Sequence, residues 1–205
     1  MTRFFDVHPD NPQPRAVTQI AQMLRDDALI GYPTDSGYAL GTRIGYPDGP
    51  ARIRALRRLG ERHHFTLVCA DFAQLGPLVH LDNSAFRAIK AATPGPYTFI
   101  LKATAEVPRR LAHPRKKTVG VRITDNPVAQ AILAQLGEPL LSSTLIPPGE
   151  QEALTDGWSV KERFDHLLDA VVDGGEVPAR PTTVISFAAE YPEVIRVGAG
   201  DPDRF

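Results

Sequence analysis

Three short segments of this chain combine glycine, proline and small hydroxyl side chains, a mixture that can hold a small polar ligand. They are residues 32–41 (Tyr-Pro-Thr-Asp-Ser-Gly-Tyr-Ala-Leu-Gly), 94–101 (Pro-Gly-Pro-Tyr-Thr-Phe-Ile-Leu) and 119–127 (Val-Gly-Val-Arg-Ile-Thr-Asp-Asn-Pro). Such residues let backbone N–H groups and side-chain oxygens face one cavity without bulky cover. Taken alone, the first segment reads as an ordinary hairpin loop. The similar character of the other two favours a shared binding site.

Arg122 is the charged residue that most strongly suggests binding. It lies in a strand-like stretch with Val119, Val121 and Ile123, where an arginine is costly unless it is paired. Because side chains alternate between the two faces of a strand, Arg122 can point into a cavity while Val121 and Ile123 pack. Two interpretations follow: a structural salt bridge, or bidentate binding of a carboxylate or phosphate.

The three segments, in this order, resemble the motifs of the YrdC/YciO family, and the resemblance extends from the N-terminal strand to Val197. It is closest to the YciO branch, through residues 4–7 (Phe-Phe-Asp-Val) and 63–67 (His-His-Phe-Thr-Leu). The resemblance implies an α/β (α+β) fold, with residues 1–205 forming a single YrdC-like domain. In such a domain a twisted mixed β-sheet is flanked by helices and carries a large basic cavity.

The best-known members of that family make threonylcarbamoyl-adenylate for tRNA modification. A carbamate formed from threonine and bicarbonate attacks the α-phosphate of ATP and releases pyrophosphate. This chemistry requires fixed cations, N–H groups and a divalent ion rather than a covalent nucleophile. The resemblance therefore implies ATP or a related nucleotide as a possible substrate, with Mg²⁺, and threonine or a similar small anion. No tightly bound cofactor is expected, and whether the chain is an enzyme is left open.

The family motifs carry over to two groups of residues. The substrate-binding group is Thr34, Ser36, Arg122, Ser142 and Thr182. The nucleotide-binding group is Arg57, Thr98, Thr144 and Arg196. The family places an arginine at position 122 to bind a carboxylate or phosphate, which favours binding over the salt bridge. No catalytic residue and no metal ligand is assigned.

Two positions depart from the family pattern. Where active members carry Lys-x-Arg, an ungapped alignment gives residues 57–59 (Arg-Arg-Leu), so one cation is kept and the second becomes leucine. Arg58 is one residue out of phase and points elsewhere on a regular element. Where they carry Ser-x-Asn, residues 144–146 are Thr-Leu-Ile, and isoleucine cannot donate to phosphate or bind a metal. We therefore expect a synthase activity that is weakened or altered in substrate.

A second hypothesis is a non-catalytic protein that binds double-stranded RNA or tRNA. Arg115, Lys116 and Lys117 could contact RNA phosphates, although a run of charge is usually a solvated loop. No RNA-recognition module or stacking aromatic pattern accompanies them. His63 and His64 face opposite ways on a strand and lack a third ligand, so zinc is not predicted. One of them can line the basic cavity.

The composition indicates an ordinary soluble protein. The 205 residues are 42% hydrophobic and 23% charged, and a net charge of −1 gives no overall attraction to nucleic acid or membranes. The single cysteine, Cys69, cannot form an internal disulfide and is interpreted as a core residue. We find no signal peptide and no apolar run near the roughly 20 residues of a membrane span, so a cytoplasmic protein without a membrane partner is expected.

Helices and strands must alternate to position these residues. Apolar spacing predicts helices over residues 14–26, 53–60, 83–93 and 128–136. Strands are predicted over residues 28–31, 38–43, 65–69, 97–102, 119–123, 139–143, 183–187 and 193–197. Asn11 and Asp82 are the expected helix caps, and Gly137 ends the last helix. Residues 146–157 form either a loop over the cavity or a plain connector.

Overall fold

Strands and helices alternate along the chain in a computed structural model, which describes residues 1–61 and 63–205. The strands are β1 (Arg3–Asp6), β2 (Ile30–Thr34), β3 (Gly37–Arg43), β4 (Thr66–Cys69), β5 (Tyr97–Lys102), β6 (Thr118–Ile123), β7 (Leu140–Thr144), β8 (Ala170–Asp173), β9 (Thr183–Ser186) and β10 (Glu193–Arg196). The α-helices are α1 (Pro14–Arg25), α2 (Gly49–Arg57), α3 (Phe72–Leu75), α4 (Asn83–Ala92), α5 (Pro127–Leu136) and α6 (Gly157–Phe164).

All of these strands belong to one sheet in the order β1-β8-β2-β3-β7-β4-β6-β5-β9-β10. The pairs β1/β8, β2/β8, β4/β6 and β5/β9 are parallel, whereas β2/β3, β3/β7, β4/β7, β5/β6 and β9/β10 are antiparallel. The predicted mixed sheet flanked by helices is confirmed. No helix in residues 1–61 and 63–205 has the length and apolar character needed to cross a bilayer.

The helix boundaries confirm two predicted signals and correct two others. The Asp82 carboxylate accepts a hydrogen bond from the Ala85 N–H (2.8 Å) and caps α4, and Gly137 ends α5 at a φ of 81°. Asn11 is not the cap of α1, because Pro14 opens the helix and Gln13 takes the cap position. The helix predicted to end near residue 60 stops at Arg57, since the next residue adopts a left-handed φ. Strand β8 and helix α6 were not predicted.

The two faces of the sheet are covered differently. On one face, α1 and α5 pack over β2 and β8, where Ile20, Leu24 and Ile132 of the helices form an apolar cluster with Ile30 and Val172. Fully burying a side chain of this kind stabilises the fold by roughly 1.5–3 kcal/mol. The helices therefore fix this half of the sheet and leave the strands beyond it to form a site.

The opposite face is buried along the strands beyond β3. Leu67 of β4, Phe99 of β5 and Val121 of β6 pack into a second apolar cluster, which also contains Leu75 of α3 and Ile89 of α4. Because residues alternate along a strand, the neighbours of these three strand residues point to the other face. The second cluster thus holds β4, β5 and β6 in place from behind.

The turn between β2 and β3 packs against the segment 146–157. Gly37 has a φ of 88°, and a Cβ added there would lie 2.5 Å from the Cβ of Ala153. The Tyr38 N–H donates to the Leu154 carbonyl (2.8 Å), so the segment braces this turn. Within the segment, only Ile146 contributes to the cavity described next, which makes most of it a connector rather than a cover.

Candidate functional site

A cavity of about 840 Å³ lies on the face of β4, β5, β6 and β9 that the second cluster leaves free. Alternate residues of the strands line it, among them Thr98 and Ile100 of β5 and Thr118, Gly120 and Arg122 of β6. Its volume falls in the range of roughly 300–1,000 Å³ that is typical of small-molecule sites. The period of two thus divides most core residues from cavity residues, and Val119 of β6 and Ser143 of β7 are exceptions.

Most of the residues predicted to bind ligand meet in this cavity. They are Thr34, Arg57, Thr98, Arg122, Ser142, Thr144, Thr182 and Arg196. Ser36 is the exception, because its buried hydroxyl donates to the Arg180 carbonyl (2.7 Å) and it does not line the cavity. The predicted substrate contact of Ser36 therefore disagrees with its position, where the hydroxyl joins the turn to a distant segment.

Arg122 is held by a buried ion pair. Its Nη2 donates to Asp35 Oδ1, and the Thr124 hydroxyl donates to the same oxygen. The side chains of Arg122 and Asp35 are 8% and 12% exposed. The guanidinium is thus fixed at the cavity, and its charge is largely balanced by the carboxylate. The salt-bridge interpretation of Arg122 is confirmed, and because Arg122 also lines the cavity, binding of a carboxylate or phosphate stays a prediction.

A hydroxyl network joins β5, β9 and β10 at another wall of the cavity. The Thr98 and Thr182 hydroxyls lie 2.9 Å apart and share a hydrogen bond. Arg196 donates from Nε and Nη2 to the Thr182 carbonyl (3.1 and 2.9 Å), and Nη2 also reaches the Thr182 hydroxyl (3.1 Å). These bonds orient Arg196 while leaving its charge without an acidic partner among the described residues.

The hydroxyl groups of Ser142 and Thr34 donate within the protein. Ser142 Oγ donates to the Leu40 carbonyl (3.0 Å) and lies 2.8 Å from the Tyr32 hydroxyl. Burial raises the pKa of Tyr32 to about 12, so this phenol stays protonated. Thr34 Oγ1 donates to the Gly37 carbonyl (2.7 Å). Both hydroxyls can therefore offer a ligand an acceptor lone pair rather than a hydrogen.

Arg57 and His63 stand together at the end of β7. Arg57 Nη1 donates to Ser143 Oγ (2.6 Å), and its Nε donates to the Ile146 carbonyl (3.3 Å). His63 Nε2 lies 3.4 Å from the same Ser143 oxygen. Burial and then the charge of Arg57 lower the pKa of His63 to about 4, so the imidazole is neutral at pH 7. Arg58 is exposed and does not line this cavity, as its phase predicts.

Several lining residues were not among the predicted contacts: Thr66, Thr118, Ser143, Ser186 and Glu193. Thr118 could have been predicted from the sequence, because it lies two residues before Gly120 and four before Arg122 and so shares their face of β6. Ser143 gave no such signal. It shares the phase of the buried Leu141, yet its hydroxyl oxygen accepts from Arg57 Nη1.

The basic run 115–117 does not form one surface. Lys116 lines the main cavity, whereas Arg115 lines an adjoining second cavity of about 550 Å³. Lys117 adopts a left-handed φ of 53° and belongs to neither lining. All three residues are exposed, and their binding of RNA stays a prediction.

The described residues of this site include neither a cluster of metal ligands nor a cysteine thiol. Within residues 1–61 and 63–205, no three His, Cys, Asp or Glu side chains are grouped to hold a metal ion. Glu193 contributes one carboxylate to the lining. Cys69 is fully buried, and burial raises the pKa of its thiol to about 12, as expected of a core residue.

The chain was compared with known proteins. The Sua5/YciO/YrdC family model, described as "Telomere recombination", matches residues 22–198. Escherichia coli YciO is 46% identical over 205 residues, which cover 100% of both chains, and its crystal structure matches with a TM-score of 0.95. The threonylcarbamoyl-AMP synthase of Halorhodospira halophila is 32% identical over 167 residues, which cover 81% of this chain and 86% of the synthase.

A likeness of fold extends to a more distant protein. P. abyssi Sua5 complexed with L-threonine matches with a TM-score of 0.88 at 24% identity, over 96% of this chain and 58% of Sua5. The matched residues include all three segments on which the sequence prediction was based. The chain therefore belongs to the Sua5/YciO/YrdC family.

Proposed function

We propose that the main cavity binds ATP or a related nucleotide together with threonine or a similar small anion. The protein would carry out the adenylate-forming chemistry of threonylcarbamoyl-AMP synthases in a weakened or altered form. The observation that carries the proposal is the convergence of Arg57, Arg122 and Arg196 on one cavity with a hydroxyl-rich floor. Relatives with the synthase name, and a related fold complexed with L-threonine, support this choice of ligands.

We assign the two kinds of ligand to different arginines of the cavity on the basis of charge balance. Arg122 is largely neutralised by Asp35, so it suits one carboxylate held in a fixed orientation. Arg57 and Arg196 have no acidic partner among the described residues and suit phosphate, which carries more charge. A carbamate oxygen would attack the α-phosphorus between them, and pyrophosphate would leave toward the unpaired cations.

One lining residue accounts for the altered chemistry. Ile146 contributes an apolar side chain where the family pattern has asparagine, and its backbone carbonyl accepts from Arg57. Loss of one hydrogen-bond donor that stabilises the charge developing in the transition state lowers the rate by about 10²-fold or more. Leu59 does not line the cavity, so the second family cation has no replacement at that position. We therefore expect slow turnover with threonine, or turnover with another small amine-bearing anion.

The proposal is tested by incubating the protein with Mg²⁺, ATP, threonine and bicarbonate while pyrophosphate is measured. The cavity variant is Arg122→Ala, and the matched control is Arg109→Ala, which changes an exposed arginine outside both cavities. Turnover by the wild type and the control that is lost in Arg122→Ala supports the proposal. Equal pyrophosphate release by all three would contradict synthesis in this cavity.

A thermal melt across nucleotides, amino acids and structured RNA widens this test. A ligand that prefers the folded state raises its stability, so the midpoint rises with ligand concentration. Nucleotide and amino-acid shifts that disappear in Arg122→Ala or Arg57→Gln would identify the ligands even if turnover is slow. No shift with any nucleotide at millimolar concentration would count against the proposal.

Binding of double-stranded RNA or tRNA is the second candidate function. It is favoured by Lys116 at the rim of the main cavity beside Arg115 in the adjoining one. Phosphate contacts release counterions, so the affinity should fall steeply with salt. Substituting alanine at Arg115 and Lys116 should reduce that salt dependence. An RNA affinity that does not change with salt, or that is unchanged by these substitutions, would argue against RNA binding.

A further inference from the structure

The second cavity adjoins the main one, and the two share part of their lining. Its volume is about 550 Å³, and five residues line both cavities: His63, His64, Phe65, Leu111 and His113. The size falls in the range of about 300–1,000 Å³ that small-molecule sites occupy. A ligand that extends past this shared wall would pass directly from one cavity into the other.

The residues found only in the second cavity supply positive charge. Arg54, Arg110 and Arg115 line it, with Glu61 as the acidic member. None of the three arginines forms an ion pair with a residue in ranges 1–61 and 63–205. Three guanidinium groups against one carboxylate leave a net positive charge, which suits an anion with several oxygens.

Two of these arginines are held in place. The Arg54 guanidinium lies over the Phe65 ring, 4.9 Å from its centroid, and its Nε is buried without a hydrogen-bond partner. Arg110 Nη2 donates to the Ile44 carbonyl (3.0 Å), which leaves its other N–H groups free for a ligand. Fixed cations lose less conformational entropy on binding than mobile ones. Arg115 is exposed and makes no such side-chain contact with residues 1–61 or 63–205.

The shared wall contributes flat rings and hydrogen-bonding nitrogens. His64 and His113 stack with their ring centroids 4.9 Å apart and their planes 20° apart. Burial and the neighbouring His113 lower the pKa of His64. The positive charge of the second cavity therefore comes from its arginines, and the histidine pair separates it from the main cavity.

We propose that the second cavity binds phosphate groups of a nucleotide ligand whose first nucleotide lies in the main cavity. The inference rests on the proposed function for its nucleotide, and it extends the ligand beyond a mononucleotide. The shared chemistry is a phosphate chain, which either a polyphosphate bridge or a phosphodiester can supply. The outward path of that chain runs between Lys116 in the first cavity and Arg115 in the second.

Calorimetry on the intact chain tests the inference with probes of increasing reach. AMP fills the main cavity alone, diadenosine tetraphosphate adds a polyphosphate bridge, and the dinucleotide pApA adds a phosphodiester. The variants are Arg115→Gln, which removes an exposed side chain, and Arg54→Gln. The control is Arg109→Gln, in the same connection but outside both cavities.

We expect Arg115→Gln and Arg54→Gln each to weaken the longer probes by about tenfold, the effect of one lost charge-assisted contact. Affinity for AMP should stay unchanged, and Arg109→Gln should bind every probe as the wild type does. The probe that responds identifies the source of the phosphates. An equal loss for AMP and the longer probes, or no loss for either, would overturn the proposal.

Tripolyphosphate separates failure of this inference from failure of the proposed function. If no nucleotide binds but tripolyphosphate binds and is weakened by Arg115→Gln, the phosphate site stands and the nucleotide assignment is overturned. If AMP binds and both variants bind tripolyphosphate with the affinity of the wild type, the main site stands and the second site is overturned. Thermal unfolding of each variant shows whether a loss of affinity is due to a loss of folded protein.

Discussion

Two arginines of the main cavity keep their positive charge in different surroundings. Arg122 is 8% exposed and pairs with Asp35, which also accepts from Thr124. Arg57 donates to a hydroxyl and a backbone carbonyl, both of which are neutral groups. One guanidinium is therefore balanced and rigid, and the other keeps its full charge for a ligand.

This difference explains how one cavity can discriminate between two anions. A balanced arginine attracts phosphate weakly but fixes the geometry of a carboxylate through directed N–H groups. An unbalanced arginine attracts whichever ligand has the most negative charge. If the proposed function holds, the pairing of Asp35 with Arg122 contributes to specificity, because it reduces the attraction of Arg122 for the nucleotide phosphates.

The largest effect is expected from Asp35→Ala. Removing one partner of a buried pair leaves Arg122 unbalanced and should lower the free energy of unfolding by about 3 kcal/mol. The exposed pair between Arg163 and Glu150 provides the control, since Glu150→Ala should cost about 1 kcal/mol or less. Urea unfolding of both variants measures the contrast. Equal losses would mean that the Asp35 pair stabilises no more than a surface pair.

Arg57→Gln should separate binding from stability. Glutamine keeps a donor for Ser143 but removes the charge, so nucleotide affinity should fall by about tenfold. The free energy of unfolding should change little, because no acidic partner is left unpaired. Calorimetry with ATP and urea unfolding give the two values. A variant that is destabilised but binds ATP as the wild type does would reverse the assigned roles of the two arginines.

Ile146→Asn should move the site toward the family pattern. The new side-chain amide can donate a hydrogen bond into the cavity beside Arg57. In other enzymes, one such donor to the charge of the transition state changes the rate by about 10²-fold. We expect a smaller gain in pyrophosphate release, about tenfold, because Leu59 is unchanged. Ile146→Val is the control that keeps the site apolar. No gain in Ile146→Asn would mean that the synthase chemistry is lost for another reason.

The smallest effect concerns His63 and the pH dependence of stability. Burial and the charge of Arg57 lower its pKa to about 4, below the unfolded value of about 6.5. The folded state therefore favours neutral His63, and its contribution is fully present above pH 6.5 and is lost as the pH falls toward 4. His63→Gln should flatten the stability profile between these values, whereas the exposed His80→Gln should not. Parallel profiles for all three proteins would contradict the shift.

The sequence predicts those parts of the site that repeat along a strand. The period of two in β6 placed Arg122 opposite Val121 and Ile123, and the sheet confirms that orientation. Asp82 and Gly137 were predictable as helix ends because a cap depends on neighbouring residues alone. These features depend on residues that are close together in the chain, so they can be predicted from the sequence.

Contacts between distant segments were not predictable in this way. The Ser36 hydroxyl donates to Arg180, 144 positions along the chain, and nothing near Ser36 reveals that acceptor. Asp35 lies within the first motif, yet its pairing with Arg122 depends on how the turn after β2 meets β6. Strand β8 was not predicted, although strands of the same length such as β4 and β9 were.

Coupling between the two ligands tests the central claim most directly. The affinity of the wild type for Mg²⁺ and ATP is measured by calorimetry with and without saturating threonine, and again in Arg122→Lys, which keeps the charge but not the guanidinium geometry. The account predicts that threonine changes the ATP affinity in the wild type and that Arg122→Lys loses this change. ATP and threonine that bind independently, or coupling that survives in Arg122→Lys, would contradict a shared cavity in which Arg122 binds the amino acid.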